Sequence, residues 1–281
     1  MASVSGLMEQ ARGYLPEFVA RRRRNYDDAN PATTVRGIAE LIERQIVPVI
    51  AMARARSAAP VDTHGFAMLA LERDAGALLV ELEKMMTRGM TVEDVLVDVL
   101  APTARRLGTM WEDDYCDFVD VTMGLWRLQE VVRELSSRSP ILRAAAFNAR
   151  TALFAPMPGD HSFGTIIVEE VFRRNGWVTT MIPDASRALL LADIGDNAYD
   201  LVGLTVSCDS HIARLQSLIV AMRAVSKNPR VCVMLGGRVL MNDPQLCNHV
   251  GADGTAVDAQ QALEVAGRLI MTNTCREVFG A

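Results

Sequence analysis

The first half of the chain repeats apolar residues with the period of an α-helix. In the first predicted helix these residues recur three or four positions apart, which places them on one face. They are Ile38, Leu41, Ile42, Ile46, Val49 and Ile50. A helix with one apolar face packs against other helices, so this pattern predicts a helical bundle.

Three more helices are predicted after a Pro-containing loop, and they cover His64–Arg88, Thr91 to about Leu107, and Asp117–Ser137. Thr91 and Asp94 resemble a capping box at the start of the third helix. Gly89 and Gly108 are predicted to end the second and third helices. Because short connections join consecutive helices, we expect an up-and-down four-helix bundle over residues 35–139.

The pattern changes to alternating strands and helices after a linker over residues 140–150. Strands are predicted at 151–155, 177–182, 200–206 and 231–235, with a weaker one near 252–257. Helices are predicted between and after them, at 161–175, 185–195, 210–226, 243–248 and 258–272. Five β-α units over residues 151–281 predict a flavodoxin-like doubly wound parallel sheet, with strand order 2-1-3-4-5. The expected fold class is therefore α plus α/β, with the bundle as an N-terminal cap.

Composition is typical of a globular protein. Half of the 281 residues are hydrophobic, and no apolar run approaches the length of a membrane span. The net charge of −5 argues against broad affinity for nucleic acid. No secretory signal opens the chain, and no CxxC pair occurs among the five cysteines. We therefore expect a soluble cytoplasmic protein whose cysteines are reduced and mostly buried.

Residues 1–34 are predicted to form an N-terminal arm. It contains the run Arg21–Arg24, but residues 1–60 hold nine Arg and Lys against six Asp and Glu, a surplus of three. A solvated helix end or arm is the expected interpretation. Direct contact with DNA is the alternative, and the small surplus makes it the less favoured one.

Candidate binding residues follow three predicted strands. His161 comes after the first strand, Ser207 after the third, and Gly236-Gly237 after the fourth. In the order 2-1-3-4-5 the loops after strands 1 and 3 flank one crevice, where ligands of such sheets bind. A lone histidine is more often structural than a ligand, but its pairing with Ser207 and the two glycines favours a ligand. No dinucleotide or P-loop motif is present.

These residues resemble the signature of the cobalamin-binding domain family, which is Asp-x-His-x-x-Gly, then Ser-x-Leu, then Gly-Gly. Here His161-Ser-Phe-Gly164 matches the first element, Ser207-Cys-Asp209 the second and Gly236-Gly237 the third. The resemblance implies that His161 is the lower axial ligand of cobalt in a base-off cofactor, with the serine and the glycines around the nucleotide tail. Asp160 directly precedes His161, whereas the family aspartate stands two residues before the histidine, and Asp209 replaces the usual leucine.

The predicted bundle extends the resemblance. Cobalamin domains of this type follow a helical cap that bears a tryptophan over the upper face of the corrin, with Glu-His ten and eleven residues later. Trp111 supplies the tryptophan here, and Val121 and Thr122 occupy the Glu-His positions. His64 is the only histidine of the predicted bundle, and it lies near a helix start. We therefore expect no imidazole above the cobalt after illumination.

The segment GTMWEDDYCDFVDVTMGLWRLQEVVREL is similar to the AerR/PpaA group of bacterial photosynthesis regulators. Members are cobalamin-dependent, light-responsive antirepressors that act on a redox-sensing repressor of photosystem genes. The resemblance implies a regulator and not an enzyme, with adenosylcobalamin or hydroxocobalamin as cofactor and a transcriptional repressor of photosynthesis genes as partner. The alternative is a corrinoid protein that carries methyl groups for a methyltransferase system.

Overall fold

The computed structural model of the protein describes residues 61–138, 149–158 and 163–279, and side chains as far as residue 271. The predicted arm over 1–34, the first predicted helix and most of the predicted linker lie outside these ranges. The same is true of Asp160 and His161. The described ranges belong to one compact unit that begins at Pro60.

The first part of this unit is helical. Its segments are α1 (Thr63–Glu72), α2 (Ala75–Thr87), α3 (Val92–Asp94), a π-helical stretch (Val95–Leu100), α4 (Ala101–Glu112) and α5 (Phe118–Arg138). The predicted capping box is confirmed, because Thr91 Oγ1 accepts the Asp94 N–H while the Asp94 carboxylate accepts the Thr91 N–H. The predicted fourth helix is also confirmed. Of its predicted inward residues, Val121, Leu128, Val132 and Leu135 are buried, and Leu125 is partly buried.

Two helix predictions in this part are wrong in detail. The predicted helix His64–Arg88 is divided in two, because the Asp74 carboxylate accepts the Ala77 N–H at 2.8 Å and caps a new helix there. Gly108 does not end the third helix, which continues to Glu112. Leu107 and Met110 are fully buried on either side of it. The free energy gained by burying these two side chains exceeds the cost of about 1 kcal/mol for a glycine inside a helix.

The second part is a five-stranded parallel sheet in the order β2-β1-β3-β4-β5, as predicted. The strands are β1 (Thr151–Pro156), β2 (Val178–Met181), β3 (Leu201–Thr205), β4 (Cys232–Gly236) and β5 (Gly254–Thr255). The register pairs Pro156 with Thr205 and Thr205 with Gly236. The carboxyl ends of the three central strands therefore lie side by side.

Helices cover both faces of the sheet. They are α6 (Phe163–Arg174), α7 (Arg187–Asp196), α8 (Ile212–Val225), α9 (Arg238–Asn242), α10 (Leu246–His249) and α11 (Ala259–Phe279). The predicted helix 243–248 is wrong, because two short helices flank a break at Asp243. Among the described residues, no helix is both long and apolar enough to span a membrane.

The helical cap and the sheet domain share a hydrophobic core. Phe163, Ile167 and Val171 of α6 pack in the same cluster as the buried leucines of the cap. Arg174 of α6 adds an ion pair to Glu93 of α3, with 2.5 Å between Nε and Oε1. The cap is thereby fixed to the helix that follows β1, over one edge of the sheet.

Candidate ligand-binding cavity between the cap and the sheet

A cavity of about 860 Å³ lies between the helical cap and the sheet domain. One wall comes from α4 and α5, another from the carboxyl ends of β3 and β4, and the cavity continues beneath α6 and α11. Its size is in the range of sites for small molecules and cofactors. Most of the lining is apolar, with a few polar side chains at the strand ends and the rim.

The strand ends contribute small and polar residues. Thr205, Ser207, Gly236 and Gly237 all line the cavity. The Thr165 hydroxyl, buried on α6, donates a hydrogen bond to Thr205 Oγ1 at 2.9 Å. This contact orients the Thr205 hydroxyl and leaves an oxygen with acceptor capacity at the wall.

Gly236 and Gly237 are glycines for different physical reasons. Gly237 has φ of +100°, and a Cβ there would lie 2.5 Å from the Val206 carbonyl oxygen, so the backbone requires glycine. A Cβ at Gly236 would lie 3.7 Å from the nearest heavy atom, the Ala256 carbonyl oxygen, which is an ordinary contact. Gly236 is thus the position where the missing side chain leaves room in the cavity itself.

The inner part of the cavity is a slot along the face of the sheet. Phe154, Gly203 and Met234 form its sheet side, and Phe172 and Ala262 form its helix side. A Cβ at Gly203 would lie 2.6 Å from a ring carbon of Phe154, so the glycine leaves the space that this ring occupies beside β3. The slot is therefore apolar at its deep end and polar at its mouth.

Aromatic side chains dominate the cap wall. Trp111 at the end of α4 and Trp126 on α5 both line the cavity and are each 47% exposed, and Phe118 is 67% exposed. Val121 is buried between them, and the Thr122 hydroxyl donates to the Phe118 carbonyl oxygen at 2.7 Å. Large rings that stand half-exposed around a cavity offer a broad apolar surface for a planar ligand.

The structure brings most of the predicted site residues together around this cavity. Gly164, Ser207, Gly236, Gly237, Trp111, Val121 and Thr122 belong to its lining. Asp209 does not, since it is exposed in the 3-10 turn before α8. Asp160 and His161 lie outside the described residues, so their roles stay predictions. The loop that carries them joins Pro158 to Phe163, and Phe163 is itself part of the lining.

Sequence reasoning missed several residues of the wall and rim, among them Trp126, Arg238 and Glu112. Trp126 is a half-exposed aromatic on α5 that lines the cavity, and the periodic pattern marked only the buried face of that helix. Arg238 and Glu112 form an ion pair at the rim with 2.8 Å between Nη1 and Oε1. The sequence signal for this pair was position alone, because Arg238 directly follows Gly236-Gly237 and Glu112 directly follows Trp111.

The other described histidines are placed away from the cavity lining. His64 Nδ1 accepts a hydrogen bond from Arg106 Nε at 3.2 Å on the outside of the cap. His211 is buried at the start of α8, in the turn that follows Ser207. His249, at the end of α10, is not in the lining either, so none of these three histidines is part of the cavity wall.

Comparison with known proteins supports the fold. No protein-family model matches the chain. The structure of the Methanosarcina barkeri monomethylamine corrinoid protein aligns with a TM-score of 0.61 and 16% identity, over 73% of this chain and 96% of that one. The chain therefore has the fold of that protein. A cobalamin-binding protein from Desulfitobacterium hafniense DCB-2 aligns more distantly, with a TM-score of 0.42 and 17% identity over 74% and 98%.

A curated relative comes from Rhodobacter capsulatus. It is an uncharacterized 20.5 kDa protein in the bchF-crtJ intergenic region, 24% identical over 163 residues, which are 58% of this chain and 84% of the relative. The similarity covers most of the relative.

Proposed function

We propose that the protein binds cobalamin in the cavity between the cap and the sheet. The observation that carries this proposal is the lining of the cavity, in which aromatic rings of the cap face polar strand ends and an apolar inner part extends beneath α6 and α11. Cobalamin has a wide corrin with peripheral amides and a separate nucleotide tail. A base-off form, in which the tail is detached from the cobalt, therefore needs one space for the corrin and another for the tail. The shared fold with a corrinoid protein supports the same interpretation.

The residues present fit the group. Thr205 and Ser207 would bond the nucleotide tail at the mouth of the slot, and Gly236 leaves its path free of a side chain. Trp111 and Trp126 would cover the upper face of the corrin. His161, from the loop between β1 and α6, would be the lower axial ligand, because neutral imidazole is a common nitrogen ligand of transition metals.

The protein would act as a light-responsive regulator in the cytoplasm, not as an enzyme. Bound cobalamin would supply a light-labile cobalt–carbon bond as the trigger. The cap residues Trp111, Phe118 and Trp126 would relax when the group above the corrin changes size, which shifts the population between two cap positions. A transcriptional repressor of photosynthesis genes would read this difference, with direct contact to DNA less favoured. The relative in the bchF-crtJ region supports this role.

Absorption spectra test the binding proposal. Adenosylcobalamin and hydroxocobalamin are each titrated into the wild type, His161→Ala and His64→Ala in the dark. We expect the base-off, histidine-ligated spectrum with wild type and His64→Ala, and its loss with His161→Ala. Unchanged spectra and affinities for His161→Ala would contradict the assignment of the ligand. Gel shifts with and without the repressor, in dark and light, then separate partner binding from direct DNA binding.

A corrinoid methyl carrier is the second candidate. The fold shared with the monomethylamine corrinoid protein favours it, since that likeness does not distinguish carriers from sensors. A carrier must accept and release methyl groups in the dark, whereas a sensor must change its partner affinity on illumination. Methyl transfer to and from methylcobalamin-loaded protein, measured beside the light-dependent gel shift, decides between the two.

A further inference from the structure

An exposed surface that is both apolar and acidic lies on the outside of the cap, next to the cavity. Tyr115, Val119 and Met123 are 75%, 63% and 39% exposed. None of them lines the cavity, so a ligand there would leave them uncovered. Val119 and Met123 are four residues apart on α5, and this spacing puts both side chains on one stripe of the helix.

Carboxylates surround this apolar stripe. Between Trp111 and Trp126 the chain carries Glu112, Asp113, Asp114, Asp117 and Asp120 and no lysine or arginine, which gives the segment a formal charge of −5. The whole chain also has a net charge of −5, so the remaining residues balance to zero (29 − 34 = −5, of which five acidic residues lie here). Among the described residues, Arg238 on Glu112 is the one ion-pair partner found for these five carboxylates. The other four carboxylates, of Asp113, Asp114, Asp117 and Asp120, give this surface a negative charge.

The surface has a defined backbone conformation. The N–H groups of Asp113, Asp114 and Tyr115 donate to the carbonyl oxygens of Thr109, Trp111 and Met110, at 2.9, 3.1 and 2.7 Å. Asp117 and Asp120 accept each other's backbone N–H at the start of α5. A turn that is already ordered loses little conformational freedom when a partner binds.

The negative field of these groups reaches a neighbouring thiol. Burial raises the pKa of Cys116, and the charges of Asp120 and Asp117 raise it further.

We propose that this acidic–apolar surface, formed by Tyr115, Val119 and Met123 with Asp113, Asp114, Asp117 and Asp120, binds a basic amphipathic segment of a protein partner. Apolar side chains of such a segment would cover the Val119–Met123 stripe, while its lysines and arginines would face the carboxylates. Charge complementarity selects this occupant. An anionic membrane surface and a nucleic-acid backbone are both repelled by these four aspartates. A symmetric dimer through this surface would place the same charges against each other.

The position of the surface connects it to the cavity. Phe118, Thr122 and Trp126 of the same helix line the cavity, while Val119 and Met123 face outwards one position away. This part of the inference rests on the proposed function, because a partner bound to α5 would sense what fills the cavity only if a cofactor binds there. The binding surface itself stands on exposure and charge.

Fluorescence anisotropy with a labelled peptide tests the surface. The probe is an amphipathic Leu/Lys helix of about 18 residues, long enough to be marginally helical. One control peptide has Glu in place of Lys, and another has Ser in place of Leu. Full-length wild type is compared with Val119→Gln/Met123→Gln, because glutamine is a good helix former on α5. It is also compared with Asp113→Asn/Asp114→Asn, because asparagine tolerates the left-handed backbone at Asp114 (φ 58°). Leu189→Gln/Val220→Gln, which removes two exposed apolar side chains elsewhere, is the matched control.

We expect the Leu/Lys peptide alone to bind. The Val119→Gln/Met123→Gln variant should weaken binding about tenfold or more, a loss typical of central apolar contacts. Asp113→Asn/Asp114→Asn should weaken it severalfold at about 0.05 M salt and have little effect at about 0.5 M, where exposed charges are screened. The Leu189→Gln/Val220→Gln variant should bind like wild type.

Several outcomes overturn the proposal. Equal binding by wild type and the Val119→Gln/Met123→Gln variant would do so, as would equal binding of the Glu peptide. Dimers in sedimentation that dissociate in this variant would assign the surface to a second copy. If the peptide binds only after Arg21–Arg24 are changed to Gln, the surface would be assigned to the chain's own arginine run. Cobalamin spectra of the same variants separate the two proposals: unchanged spectra with lost peptide binding support the surface, whereas absent cobalamin binding refutes the proposed function alone.

Discussion

Glu112 and Arg238 form an ion pair across the rim of the cavity, with 2.8 Å between Oε1 and Nη1. Glu112 ends α4 in the cap, and Arg238 begins α9 directly after the two glycines of the sheet domain. Both side chains also line the cavity. The pair therefore joins the wall that carries Trp111 to the wall that carries Gly236 and Gly237.

This contact should act on access to the cavity more than on folding. Both side chains are at least half-exposed, and such ion pairs contribute about 0–1 kcal/mol to stability. We expect Glu112→Gln and Arg238→Gln to leave the melting temperature almost unchanged. Each should speed cobalamin release about two- to tenfold, because the loss of up to about 1 kcal/mol corresponds to a rate change of that size. Stopped-flow exchange against a cobalamin scavenger measures the rate.

The controls for this prediction come from the chain itself. Glu83→Gln breaks the Arg138–Glu83 pair, which is equally exposed but joins two helices within the cap, and should leave release unchanged. The double reversal Glu112→Arg/Arg238→Glu should restore slow release. If both single variants and the double variant release cobalamin at the wild-type rate, the pair does not guard the cavity.

Gly236 and Gly237 should respond oppositely to substitution. Gly236→Leu should fold with near-normal stability, since its Cβ meets an ordinary contact, and should lower cobalamin affinity about tenfold or more by filling the cavity. Gly237→Ala should destabilise the protein by about 2 kcal/mol or more, because it combines a positive φ with a clash on the Val206 carbonyl. Urea unfolding and cobalamin titration of both variants check this. A stable Gly237→Ala beside an unstable Gly236→Leu would reverse the assignment.

Periodicity in the sequence was sufficient to predict the sheet order and the helical character of the described part of the cap. The order β2-β1-β3-β4-β5 follows from strand–helix alternation and from the rules for doubly wound sheets. The break at Asp74 was missed because apolar residues continue on both sides of it, and only the carboxylate cap on Ala77 reveals a new helix. The extension past Gly108 was missed because burial of Leu107 and Met110 is a tertiary effect that outweighs local helix propensity.

The site was only partly predictable for a similar reason. Ser207 and Gly236 could be placed at one edge, because they follow neighbouring parallel strands. The Glu112–Arg238 pair joins residues 126 positions apart, and no local pattern specifies that contact. Asp209 was assigned by position in a motif, but the turn before α8 directs it to the exterior. Tertiary packing of the cap on the sheet decides such contacts.

Arg174 should contribute strongly to the attachment of the cap. Its side chain is 10% exposed and pairs with Glu93 of the cap at 2.5 Å and with Glu170 of its own helix at 3.5 Å. Arg174→Met would leave the Glu93 carboxylate without this partner and should lower the free energy of unfolding by about 2–4 kcal/mol. Arg138→Met, in an exposed pair, is the control and should have little effect in the same urea titration. Equal stabilities of the two variants would show that burial of Arg174 carries no special weight.

Two cysteines should differ in reactivity. The Cys208 thiol is exposed, whereas Cys116 is half-buried and in no disulfide. Burial and the charges of Asp120 and Asp117 raise the pKa of Cys116, so it keeps its proton to higher pH. Because the thiolate is the reactive form, iodoacetamide at about pH 7 should modify Cys208 much faster than Cys116.

The pH profile separates this electrostatic effect from simple access. As the pH rises, modification of Cys116 should keep accelerating beyond the point where an ordinary thiol levels off, since its pKa is raised. Cys247, buried and with its pKa raised by burial and by Asp253, should react more slowly still. Peptide mass spectrometry after timed labelling gives each rate, and labelling in urea should make the three thiols equal. A Cys116 rate that matches Cys208 in the native protein, or that levels off at the ordinary pH, would contradict a pKa raised by burial and by the aspartates.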